Sequence, residues 1–273
     1  AASFVAKKEN IELVQLTSFG CGLDAVTQDQ VQEILERNGK VYTLIKIDEG
    51  SNLGAIRIRI RSLLSLVAER QNKSSNPSPL PLASTCKKLI FTKEMAKRYT
   101  VLAPQMSPIH FELLEAAFES AGYNLEVLDN STPSAIDVGL KYVNNDACYP
   151  AIIVAGQMIE ALQSGRYDLN ETALVITQTG GGCRATNYIG YLRKALIDAG
   201  MKQVPILSLN ASDMERQPGF KLTKGFLHRM IQAVVYGDAI MQCVLATRPY
   251  EKNPGSTDAL CNYWLKKLRE NIT

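Results

Sequence analysis

The sequence lacks three signatures that would decide its chemistry at once. None of its cysteines form a C-x-x-C pair, so spacing alone gives no zinc or dithiol site. No G-x-x-x-x-G-K-[ST] loop is present, so the segment carries no phosphate-loop ATPase signature. No basic run accompanies the small net charge of +3, which argues against nucleic acid as a partner. No stretch approaches the ~20 consecutive apolar residues of a membrane span, and no basic-then-apolar leader opens the chain. The expectation is therefore a cytoplasmic protein with no membrane partner. The chain begins at Ala1 and not at methionine, which reads as a trimmed product or a piece of something larger.

What remains is ordinary globular material. With 46% apolar and 21% charged residues, 273 residues suffice for one large or two modest domains, each with a core. Six cysteines, at 21, 86, 148, 183, 243 and 261, are scattered through a chain without a secretion signal. A disulfide framework is not expected from them. Metal binding, redox chemistry or simple burial are the open readings.

The apolar periodicity alternates between strand and helix. Residues 11–16 read as a strand, Thr27 as a helix cap with Gln30 as its capping-box partner, and Val41–Ile47 as a second strand. Residues 55–68 fit both periods, and their length without a breaker favours a helix. Beyond an exposed Ser/Asn/Pro-rich linker at 72–86 the rhythm resumes. Strands are expected at 99–104, 125–128, 173–178 and 204–209. Helices are expected from Ser107-Pro108 to Gly122, at about 134–143 and 151–164, and up to Gly200. Two further helices, about 221–246 and 257–271, close the chain. Strands separated by helices of this length imply parallel sheets covered on both faces. The expected fold class is α/β, with Rossmann-like parallel sheets, flanking helices and a helical C-terminus. The organisation reads as an α/β unit over 1–71, the linker at 72–86, and a Rossmann-like domain over 87–273.

The most informative run is Gln178-Thr179-Gly180-Gly181-Gly182-Cys183-Arg184-Ala185-Thr186-Asn187-Tyr188. The apolar Ala173–Ile176 precedes it, and a helix-period pattern follows. Glycine at a strand-to-helix turn permits φ > 0 and close approach to the main chain. The expected helix start would favour an anion, and a thiolate is one. Cys21 and Cys183 each follow a strand, and Cys148 opens a helix. In an open parallel sheet such positions lie along the carboxyl edge, where ligands bind. Three thiolates among small residues and amide N–H groups suit an iron–sulfur cluster. The competing reading is burial, since free cysteine is usually inert packing. Cys243 and Cys261 read as packing, Cys86 as an incidental thiol, and His110 and His228 as structural. Gly180-x-Gly182-x-x-Ala185 also fits the dinucleotide fingerprint, but the following strand ends at Leu209-Asn210 without the acidic residue that grips a ribose. Arg57, Arg59 and Arg61 read as solvated, with an acidic partner as the other use.

The glycine–cysteine run, Ser18-Phe19-Gly20-Cys21-Gly22, the stretch Asn144–Pro150 ending in Cys148-Tyr149-Pro150, and Thr247-Arg248-Pro249-Tyr250-Glu251 with Asn253-Pro254-Gly255 together resemble one family. They are similar to the C-terminal part of the large 2-hydroxyacyl-CoA dehydratase activator proteins (CoA-substrate-specific enzyme activases), itself similar to the dehydratase subunits. The resemblance spans about residues 11–260. It implies a cluster of cubane type held by Cys21, Cys148 and Cys183, with Gly180, Gly181, Gly182 and Arg184 as the hydrogen-bonding nest around it. It implies electron transfer of the kind used in anaerobic metabolism. An ATP-dependent activator domain or subunit supplies a single low-potential electron, and an acyl-CoA or another small substrate receives it. A cluster held by three cysteines is open to loss on aerobic preparation. The family's ATPase region and an identifiable acyl-CoA pocket are both missing from this sequence. Beside the redox module stand two other readings, a nucleotide- or CoA-binding domain without a cluster and a non-catalytic interaction domain of a larger protein.

Overall fold

The structure is a computed structural model that describes residues 1–18, 23–47, 53–72, 89–129, 132–143, 147–210 and 217–273, with backbone alone at 23, 25, 26, 29, 71 and 72. Cys21 and Cys86 lie outside the described residues, as do residues 144–146 and the expected linker beyond residue 72. The chain forms two compact units. One comprises Ala1–Lys87 with Thr179–Asn187, and the other Lys88–Gln178 with Tyr188–Thr273.

In the first unit, helix α1 (Ala2–Val5) precedes strand β1 (Val14–Thr17), helix α2 (Leu23–Arg37), strand β2 (Thr43–Lys46) and helix α3 (Leu53–Asn72). The two strands are parallel, with Val14 opposite Thr43 and Thr17 opposite Lys46. The ambiguous 55–68 segment is indeed helix, as α3. The sequence placed the start of α2 too late, because Thr27 lies inside the helix and caps nothing. The exit of α2 is as expected: Gly39 takes φ 67° and Lys40 N returns to Leu35 O at 2.9 Å. Lys40 then anchors the entering chain, its Nζ donating to Lys8 O (2.6 Å) and Ile11 O (2.7 Å).

The second unit runs α4 (Lys93–Arg98), β3 (Thr100–Ala103), α5 (Pro108–Ser120), β4 (Asn124–Val127), α6 (Pro133–Tyr142), α7 (Tyr149–Gln163), β5 (Thr172–Thr177), α8 (Tyr188–Asp198), β6 (Ile206–Leu209), α9 (Lys224–Thr247) and α10 (Ser256–Ile272). The four strands are parallel in the order β4-β3-β5-β6. The winding reverses between β3 and β5, the position where doubly wound sheets open a crevice at their carboxyl edge. Strand alternation sends Leu102, Leu174, Ile176 and Ile206 into a core with α6, α7 and α8. Val101, Ala103, Ala173, Val175 and Leu207 enter a second core with α5, α9 and α10. The fold is thus α/β, with parallel sheets flanked by helices and a helical C-terminus. Leu102 and Leu174 are wholly buried, each contributing roughly 1.5–3 kcal/mol of apolar transfer.

Helix starts are set by local chemistry. Thr92, Thr132 and Thr223 accept from the amides of Met95, Ala135 and Phe226 at 3.4, 3.2 and 3.2 Å. Helix α4 and these caps were not expected from the sequence. Ser107 precedes α5 as expected, but its hydroxyl engages the His110 ring and not a helix amide. In the second core Phe118, Tyr123, Phe220 and Phe226 pack ring against ring. The Tyr123 hydroxyl accepts Lys221 N at 2.9 Å, fixing the approach to α9.

Helices α6 and α7 touch backbone to backbone. A Cβ on Gly156 would lie 1.8 Å from Ala135 O, and one on Gly139 would lie 2.2 Å from Ile152 O. Gly156→Ala should therefore destabilise the protein by about 3 kcal/mol, the upper range for overpacking. That outweighs the ~1 kcal/mol gained from alanine's helix propensity. Urea unfolding followed by circular dichroism reads the difference.

Candidate functional site

The glycine turn leaves the sheet after Gln178, whose amide still pairs with Leu209 O at 2.8 Å. Gly180 takes φ 75°, a conformation glycine adopts without strain. A Cβ on Gly181 would meet nothing within 4 Å, so the turn has an open side there. The loop closes on Thr186: its hydroxyl donates to Gly181 O at 2.7 Å and pairs with Thr179 Oγ1 at 3.0 Å, while its amide donates to Cys183 O at 3.0 Å. Residues 179–183 are exposed, including the free thiol of Cys183. A 3₁₀ turn at Arg184–Asn187 follows, and α8 begins only at Tyr188. Cys183 is therefore not in the first turn of an α-helix, as the sequence led one to expect. The same displacement separates the dinucleotide fingerprint from the helix N-terminus it requires.

Arg184 faces inward. Only 5% exposed, it donates through Nη2 to Gln28 Oε1. Gln28 Nε2 in turn donates to Thr17 Oγ1 at 2.9 Å, and the Thr17 hydroxyl donates to Asp24 Oδ2 at 3.0 Å. A buried polar chain thus joins the glycine–cysteine turn to the end of β1 and the first turn of α2. Thr17 and Asp24 flank, in sequence, the segment that contains Cys21. The resemblance places Arg184 in a nest around the cofactor; its guanidinium makes this structural link. Gln28 and Thr17 were not anticipated. The available signal was a glutamine seven residues before the fully buried Leu35, hence on the same face of α2.

In the second unit, Cys148 occupies the position before α7, at the carboxyl edge of the sheet, and its side chain caps nothing. It is a half-buried free thiol with Sγ 3.3 Å from Tyr188 Oη. Neutral polar side chains also stand at this edge. Ser208 Oγ donates to Gln178 Oε1 (2.7 Å), Asn210 Nδ2 donates to Ser208 Oγ (2.9 Å), and Gln157 Oε1 accepts Gln105 N (3.2 Å). Gln157 is the polar residue in an otherwise apolar helix run, a pattern that signals a buried hydrogen bond. Among the described residues, no three His, Cys, Asp or Glu side chains gather as a metal site.

Other sequence candidates resolve into structural roles. His110 Nε2 donates to Asp238 Oδ1 at 3.1 Å, and in that tautomer Nδ1 accepts the Ser107 hydroxyl at 2.8 Å. Arg59 donates to Leu44 O at 3.0 Å. Cys243, expected to be buried, is exposed. With Cys261 and Trp264 it lines an apolar cavity of about 280 Å³ between α9 and α10. Burial, then the nearby Asp258 and Glu112 carboxylates, push the Cys261 thiol up. The Thr247–Gly255 motif forms the entry to α10. Glu251 Oε1 accepts Gly255 N at 2.8 Å and Oε2 accepts Thr257 N at 3.0 Å. Those amides, Thr257 first, hold the Glu251 carboxyl down at about 2.

Compared with protein-family models, curated proteins and solved structures, the chain matches none.

Two outcomes are expected. Gln28→Met removes one acceptor from the buried guanidinium and the donor to Thr17, and should lower stability by about 1–3 kcal/mol, measured as an earlier urea transition. For Glu251, a carboxyl depressed from 4.5 to about 2 in the folded protein stabilises it fully above pH 4.5. The stability difference between wild type and Glu251→Gln should shrink as pH falls from 4.5 and vanish below about 2. Denaturant titrations across that range measure it.

Proposed function

We propose that this chain is an iron–sulfur redox module of the kind used with 2-hydroxyacyl-CoA dehydratases, accepting a low-potential electron from an ATP-dependent activator domain or subunit. The observation that supports this reading most is the buried chain Arg184–Gln28–Thr17–Asp24. It binds the turn that carries Cys183 to the residues on either side of the Cys21 segment. Each described member of the ligand set is a free thiol. The Cys183 turn has open space at Gly181, and the Cys148 side chain is not used as a helix cap. The donor chemistry therefore fits a thiolate-held cluster, with Cys21, Cys148 and Cys183 as the residues that would hold it. When bound, such a cluster supplies one-electron transfer at low potential.

The protein's own contribution is positional. Arg184 and Thr186 fix the turn so that Cys183 is held on a closed loop. Tyr188 puts a hydroxyl beside the Cys148 sulfur, where a hydrogen bond tunes a ligating thiolate. The final acceptor is a small substrate, an acyl-CoA thioester or a molecule that is similarly hard to reduce.

The test is iron and acid-labile sulfide per chain after anaerobic reconstitution. Several irons in wild type, lost together in Cys21→Ser, Cys148→Ser and Cys183→Ser, is the expected result. Unchanged iron in the variants, or none in wild type, would overturn the proposal.

A further inference from the structure

Helix α9 carries two apolar seams. One packs inward: Phe226 and Ala233 are buried in the second unit's core, and Val244 is buried beside α10. The other faces solvent and comprises Leu227, Ile231, Val234, Asp238, Met241 and Leu245. Its apolar members are 44, 55, 43, 37 and 61% exposed, with Val235 beside them at 57%. Successive members stand four, three, four, three and four residues apart. That is the 3.5-residue repeat by which one helix packs along another. Between Arg229 and Arg248 the helix carries only one charged residue, Asp238.

We infer that this seam is the interface of a homodimer, in which α9 pairs antiparallel with α9 of a second copy about a two-fold axis. The spacing is the first reason. The series four-three-four-three-four reads the same in both directions, so the seam mates with its own reverse without slipping register, as an isologous contact requires. Leu227 then faces the partner's Leu245, Ile231 the partner's Met241, and Val234 the partner's Asp238. Charge is the second reason. A parallel pair would set Asp238 against its own copy, whereas the antiparallel pair sets it against valine and leaves it bonded to its own His110. Area is the third. The strip with its flanking residues offers on the order of 600 Å² per copy, so the pair buries roughly 1,200 Å², the lower end of specific interfaces.

A bilayer is the competing occupant, because Lys224–Tyr250 has a mean hydropathy of 1.3 and the length to cross one. The opposite face of the helix is committed to the core, however, and Asp238 sits mid-seam, where lipid would meet a carboxylate.

The test is sedimentation of the 273-residue chain at tens of micromolar, with folding checked by circular dichroism. Wild type should run at twice 30.1 kDa. Ile231→Glu should raise the dimer dissociation constant at least tenfold, as should Met241→Lys. The double variant should restore it, because only the antiparallel register sets residue 231 against residue 241. A monomeric wild type, a dimer untouched by Ile231→Glu, or failure of the double variant to recover would each overturn the inference. So would wild type that stays monomeric while co-floating with phosphatidylcholine vesicles.

Discussion

Strands β3 and β5 must be dry on both faces, and most of the second unit follows from that. A parallel pair cannot be closed by a tight turn; each connection needs a crossover long enough to hold a helix. Leu102, Leu174 and Ile176 point one way, and Val101, Ala173 and Val175 the other. Either set left uncovered would expose a contiguous apolar surface. Helices α6, α7 and α8 cover the first set, and α5, α9 and α10 the second. The demand on α7 is strongest. It lies against α6 through Gly139 and Gly156, and its one buried amide side chain, Gln157, must find a backbone donor at Gln105.

In the first unit a polar constraint stands out among the described residues. Arg184, Gln28, Thr17 and Asp24 form a chain whose middle members are buried. Hydrogen bonds in a low-dielectric interior are directional and costly to leave unmade. Such a chain fixes where a loop sits more sharply than apolar contact does. It holds the glycine–cysteine turn by its arginine and leaves the cysteine itself in solvent. The turn is therefore rigid at one end and chemically accessible at the other, the combination a ligating thiol needs.

Helix α9 shows how one pattern serves two ends. Its inward seam carries Phe226, Ala233 and Val244, and its outward seam Leu227, Ile231, Val234, Met241 and Leu245. The inward seam is satisfied within the chain by α5 and α10, while the outward one is left open. Near the end of the same helix, the depressed Glu251 carboxyl and Gly255 at φ 86° set the start of α10 by hydrogen bonds to backbone amides.

The sequence by itself determined the alternation of strands and helices, the parallel sheets and the helical C-terminus, because period-2 and period-3.6 apolar patterns are local properties of the chain. It also marked the glycine turn, since three consecutive glycines after a buried strand have few other uses. Boundaries were less legible: α2 begins before Thr27 and α8 after Asn187, because side-chain bonds such as Thr17–Asp24 and Thr186–Gly181 compete with the caps that sequence suggests. Only the tertiary structure decided that Arg184 points inward to Gln28, that Cys243 is exposed and that the outward seam of α9 faces solvent. Burial of a side chain depends on what the rest of the chain brings to it, and residues far apart in sequence leave no periodic trace of their meeting.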